Sequence, residues 1–228
     1  MGVGGDVRIT TRYDETDFLN SIQGVTHEAG HAFYDRNTPQ QWQHQPVGVS
    51  QNMGMAIHES QSLSLDMQLG RSPEFFQMLA PYIQQAFGVS GKQWEADNLF
   101  RAMTQVSRGM IRVDADEVTY PLHVILRYRL ERAMVEGTLK VKDLPDAWNA
   151  GMKELVGAEP PNDRVGCLQD IHWYSGAFGY FPAYALGALI AAQFVAKMKE
   201  DIPNVFQKVG EGDVAPFTGW LKEHVQSK

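Results

Sequence analysis

Two histidines four residues apart, His27 and His31, constrain this chain more than any other pair in it. On an α-helix, residues i and i+4 lie one above the other, so both imidazoles can reach a single metal ion. Glu28, between them, flanks the same face. The surroundings favour a helix over residues 16–37. Asp17 is a candidate N-cap, and Phe18, Ile22, Val25, Ala29, Ala32 and Phe33 recur at helical spacing as an apolar stripe. At about 100° per residue, the histidines fall on the side opposite that stripe. The helix is expected to pack on its apolar side and present both histidines to a cleft.

A catalytic zinc site needs three protein ligands and one open position. The third candidate is Glu59, in Ile57-His58-Glu59-Ser60-Gln61-Ser62. Gln51 to Leu69 reads as a second helix, ended by Gly70, that forms the other wall of the site. Two neutral imidazoles and one carboxylate leave a divalent site net positive, which favours an acidic water in the open position.

With 228 residues and 43% hydrophobic composition, the chain can bury one substantial core, most simply as a single domain over residues 1–228. Its net charge of −7 is spread along the sequence, with no basic tract that would bind nucleic acid. One cysteine, Cys167, rules out an intramolecular disulfide framework and fits a reducing compartment, so a cytoplasmic location is expected. The first residues lack the apolar segment of a signal peptide. The longest apolar run, Ala183 to Ala196, is shorter than the roughly 20 residues that span a bilayer, so no membrane association is expected.

Asp6 to Tyr13 alternates and is rich in β-branched residues, which predicts a strand. Asn37 to Val49 reads as a loop, with His44 as a surface histidine. Ser72-Pro73-Glu74 opens a helix that Gly88 closes. Further helices are expected from Gly91 to Ser107, from Pro121 to Gly137, and from Asp143 to Gly157. Two more run from Tyr180 to Glu200 and onward from Val214. The third of these six helices carries Leu122, Ile125, Leu126, Leu130 and Met134 on its apolar face. Residues 110–120 and 158–165 read as irregular. The fold class is mainly α, with one or two strands.

Arg112 stands beside Asp114, Asp116 and Glu117. Its planar guanidinium suits a carboxylate, which is either one of these neighbours or that of a bound substrate. Arg8 has the same two readings. Residues 166–187 are dense in hydrogen-bonding aromatics, among them His172, Trp173, Tyr174, Tyr180 and Tyr184. Such donors can stabilise an oxyanion, or simply satisfy one another between packed helices. Cys167 has no activating histidine nearby in sequence and reads as a small core residue.

Taken together, these stretches resemble the thermostable (Taq-type) carboxypeptidase family of metallopeptidases. Five of the family's motifs stand in order: DxRxT as Asp6 to Thr10, HExxH as His27 to His31, HESQ as His58 to Gln61, IRxxA as Ile111 to Ala115, and GxxQDxHW as Gly166 to Trp173. The resemblance implies a zincin (neurolysin-like) helical fold with a deep cleft and a small β element near it. It implies His27, His31 and Glu59 as ligands of one divalent metal, with zinc first and cobalt or manganese as alternatives. Glu28 would be the catalytic base. Arg112, then Arg8, would bind the free C-terminus of a peptide substrate, and His172 with Tyr180 or Tyr184 would hold the transition state. A homodimer is also implied.

Against the family pattern, the usual helical N-terminal half is absent before Asp6. A more open cleft is expected, so an endopeptidase or dipeptidase, or a catalytically weak metal-binding remnant or partner-binding fragment, stands as the alternative. Leu63 occupies the position four residues after Glu59 where related zincins place an aspartate. Some other group must therefore orient the histidines.

Overall fold

A computed structural model describes residues 6–14, 16–39, 41 and 53–228. The chain divides into two compact units, one comprising Met1–Thr104 with Leu186–Lys228 and the other Gln105–Ala185. The described residues are mainly helical, and none of their helices is long and apolar enough to cross a membrane.

In the first unit, α1 spans Phe18–Asn37, and Asp17 caps it by accepting from the Asn20 backbone N–H. α2 spans Met55–Leu63 and continues without a break into a π-helical turn, Ser64–Leu69. α3, Pro73–Phe87, starts on Ser72, whose hydroxyl accepts from the Phe75 N–H, and stops at Gly88, whose φ is 63°. Burying Phe76, Ile83, Leu99, Met198, Val209, Phe217 and Leu221 in one cluster ties α3 to α4 (Ala96–Met103) and to the C-terminal elements. Those are the later turns of α7 (Pro182–Asp201), then α8 (Val205–Gly210), α9 (Ala215–Leu221) and a closing π turn, Lys222–Gln226.

In the second unit, α5 (Tyr120–Val135) packs on α6 (Leu144–Leu155) through Leu126, Leu130, Trp148 and Met152. Cys167 is buried in the same cluster, as a small core residue should be. Residues 156–181 form turns before α7 begins.

Several expectations change. Residues 7–14 carry no regular structure, and no described residue belongs to a strand beyond an isolated bridge at Asp6. Alternation alone is insufficient where the segment is largely exposed and has no sheet to join. Val25 and Phe33 are exposed, whereas Phe18, Ile22 and Ala29 of the same stripe reach the core. Ile125 is likewise exposed on α5. The single helix expected over 91–107 is a short 3-10 turn, Lys92–Trp94, followed by α4, because Glu95 is extended between them. The sequence reading missed α8. His44 and the expected start of α2 at Gln51 lie outside the described residues.

Candidate functional site

The first unit brings α1 and α2 into contact at Gly30, where a Cβ would overlap the Gln61 carbonyl and the Ser62 Cα. Only glycine permits that approach. A buried amide chain fixes it from behind: Asn37 Nδ2 donates to Gln226 Oε1 at 2.7 Å, and Gln226 Nε2 donates to Gln61 Oε1 at 3.0 Å. Gly187 on α7 backs α2 as closely, since a Cβ there would lie 2.7 Å from that of Glu59. Two glycines thus set where the glutamate stands.

The outcome is a triad. His27, His31 and Glu59 each offer one ligand atom, and these atoms lie within 4.8 Å of one another. Glu59 Oε2 is 3.8 Å from His27 Nε2 and 3.6 Å from His31 Nε2. A tetrahedral ion about 2.1 Å from each donor separates them by about 3.4 Å, so the triad fits a divalent cation. Glu59 is only 3% exposed, and burying a carboxylate favours a cation beside it. Two imidazoles and a carboxylate suit zinc, and less selectively cobalt or manganese. Glu28 is partly exposed beside them, and its charge is felt at His27.

Each histidine is held from behind. His27 Nδ1 donates to Asp66 Oδ2 at 3.3 Å, which leaves its Nε2 for the ion. Asp66 stands seven residues after Glu59, two helical turns on and on the same face. It supplies the orienting group that Leu63 cannot. On its other side, Asp66 Oδ1 lies 3.8 Å from the buried Nε of Arg71. His31 Nδ1 meets His58 Nδ1 within hydrogen-bonding distance, and His58 Nε2 lies 3.1 Å from Asp35 Oδ1. Burial pulls both metal-site imidazoles down. At His31 the charges of His27 and His58 add to it, giving about 3; at His27 the bond to Asp66 and the charges of Asp66, Glu59 and Glu28 outweigh it and hold that group above its ordinary value.

The second unit holds a buried arginine cluster. Arg112 donates through Nε (3.1 Å) and Nη2 (2.9 Å) to Asp170 Oδ1. Its partner is therefore Asp170, not the acidic neighbours in sequence. Of those neighbours, Asp116 instead caps the turn before α5, accepting from Ser107, Val118 and Thr119. Arg127, fully buried on α5, takes the other Asp170 oxygen through Nε and donates to the His123 carbonyl and to Gln169 Oε1. Burial alone would raise Asp170, but the two guanidinium charges outweigh it and hold the carboxyl below its ordinary range. The Arg112 guanidinium lies 4.6 Å above the Tyr184 ring, and the Tyr184 hydroxyl is 2.9 Å from His172 Nε2. Tyr180 contributes ring contacts to the same group, 5.3 Å from His172 between centroids.

Arg8 is exposed and paired with Asp6 at 2.7 Å. The triad and Arg8 belong to the first unit; Arg112, His172, Tyr180 and Tyr184 belong to the second. Sequence reasoning passed over Asp66, Asp35, Arg127 and Glu131. The last of these accepts from the Trp173 indole at 2.8 Å. His123, Arg127 and Glu131 recur every four residues on α5, a polar stripe beside the apolar one, and that spacing was a readable signal.

Known proteins resemble the chain over most of its length. The chain is 43% identical over 221 residues to carboxypeptidase 1 of Bacillus subtilis (strain 168), covering 97% of this chain and 44% of that protein. It is 39% identical over 220 residues to thermostable carboxypeptidase 1 of Pyrococcus furiosus, covering 96% and 44% respectively. Trypanosoma cruzi metallocarboxypeptidase 1 superposes with a TM-score of 0.86 at 40% identity, over 96% of this chain and 46% of that one. The chain thus spans somewhat less than half the length of the relatives it matches. The profile of the carboxypeptidase Taq (M32) metallopeptidase family matches residues 2–228, nearly the full chain and both units, and the chain belongs to that family.

Proposed function

We propose that this chain is a metal-dependent carboxypeptidase that releases single C-terminal residues from peptides. The observation that carries this reading is the His27–His31–Glu59 triad, set where α1 meets α2 in a member of a metallopeptidase family. When bound, a divalent cation, zinc before cobalt or manganese, polarises the scissile carbonyl and makes water acidic. Glu28 takes the proton of the attacking water and delivers it to the leaving amine. Asp66 keeps the Nε2 of His27 available by holding the hydrogen on Nδ1. Arg112 is the candidate for the peptide's terminal carboxylate, with Arg8 second. Its Nε and Nη2 are engaged by Asp170, which presets the plane of the guanidinium. His172 and Tyr184, joined through Nε2 and the hydroxyl, are the candidates for holding the developing oxyanion, with Tyr180 beside them.

In this reading residues 1–228 are one catalytic domain, acting on peptides with a free C-terminus in the cytoplasm as a homodimer. Sedimentation would test the last point. For the reaction itself, Glu28→Gln should retain one equivalent of zinc and lose about 10²–10⁴-fold in kcat. A zinc-loaded Glu28→Gln protein with unchanged turnover overturns the assignment of the base.

A further inference from the structure

We infer that His58 and Asp35 form a positioning pair that fixes which nitrogen of His31 is offered to the metal. The inference rests on the metal reading of the triad and assigns a role to two residues outside it. His31 Nε2 faces Glu59 Oε2 at 3.6 Å, so Nε2 is its ligand atom and must carry a bare lone pair. The hydrogen of neutral His31 is then on Nδ1, which faces His58 Nδ1. Two N–H groups cannot point at each other, so His58 Nδ1 is the bare acceptor and its hydrogen is on Nε2. That nitrogen lies 3.1 Å from Asp35 Oδ1, which only accepts. With both imidazoles neutral, one arrangement of hydrogens satisfies all three groups, and it is the one that leaves His31 ready to ligate.

The placement is built by the same helices that build the site. Asp35 follows His31 by four residues on α1, and His58 precedes Glu59 on α2, so one imidazole bridges two positions of the facing helix. Tyr34 packs edge-on against the His58 ring, with centroids 5.1 Å apart. The two histidines are oriented by different means. Asp66 reaches His27 directly, whereas the carboxylate behind His31 acts through an intervening imidazole. Asp35 has a 48% exposed side chain, so its replacement leaves the core intact.

The test is zinc affinity of metal-free protein by competition with a chromophoric chelator, together with the visible spectrum of the cobalt form. Both report on the ligand sphere without turnover, and circular dichroism confirms folding. His58→Leu should weaken zinc binding about 10–100-fold and alter the cobalt spectrum. His58→Gln, whose amide oxygen still accepts from His31, should recover most of that loss. Asp35→Ala should cost less, and the double variant His58→Leu/Asp35→Ala should bind no more weakly than His58→Leu alone, because Asp35 acts only through His58. Unchanged affinity and spectrum in His58→Leu, or independent losses that multiply in the double variant, overturn the pairing. If His27→Ala abolishes binding while His58→Leu does not change it, the triad stands and the pairing falls. If the unaltered chain binds no zinc, both fall.

Discussion

Replacing Asp170 with asparagine should destabilise the Gln105–Ala185 unit by about 3–5 kcal/mol, the usual cost of removing one member of a buried ion pair. The structure sets this magnitude. Asp170 is the shared anion of two buried guanidiniums, accepting from Arg112 at 2.9 and 3.1 Å through one oxygen and from Arg127 through the other. An asparagine keeps one acceptor oxygen but turns an NH2 toward the second guanidinium. Arg127 retains the His123 carbonyl and Gln169, both neutral. Arg112 retains the face of Tyr184. The figure measures two cations left uncompensated, not what the network contributes over an apolar core. Urea unfolding followed by tryptophan fluorescence suits the test, because Trp148 and Trp173 lie in this unit. The same carboxylate gives a pH signature. Its folded pKa is depressed, so its contribution is fully present above the unfolded value near 3.8 and is lost as pH falls through the folded one. Asp170→Asn should remove that part of the acid dependence. A loss below about 1 kcal/mol would refute the claim that Asp170 neutralises both arginines.

Two further outcomes follow from the packing. Gly30→Ala inserts a Cβ onto the backbone of Gln61 and Ser62, so α1 and α2 must separate. It should cost about 1–3 kcal/mol in metal-free urea melts and weaken zinc binding as well, and wild-type values in both would contradict the close approach. His123 donates from Nε2 to the Gly109 carbonyl, and its bare Nδ1 faces Arg127. Burial first, then the Arg127 charge, lowers it to about 4. Its contribution is therefore present above the unfolded value of 6.5 and fades as pH falls toward 4, so His123→Asn should flatten the urea midpoint over that window.

The helix ends and the shared face of His27 and His31 were readable in the sequence because each is a local rule. Asp17, Ser72-Pro73 and Gly88 act on their own neighbours, and His27 and His31 share a face through helical periodicity alone. What could not be read depends on which helices meet. Asp35 faces His58 only because Gly30 lets α1 and α2 close together. Arg112 stands next to three acidic residues in sequence, yet binds Asp170 from a distant loop. The intermediate case is Asp66. It stands two turns from Glu59 and so was legible, although the position one turn on is Leu63. The strand over residues 6–13 failed in the opposite sense, since a local pattern is silent about whether a sheet exists to receive it.

The central claim is tested most directly by one pair of peptides, identical except that one ends in a free carboxylate and the other in an amide, given to the zinc-loaded chain. Stepwise release of single C-terminal residues is expected from the free acid and none from the amide. Equal cleavage of both at internal bonds would contradict exopeptidase action. No cleavage of either, with one zinc bound per chain, would mean a metal-binding protein without this activity.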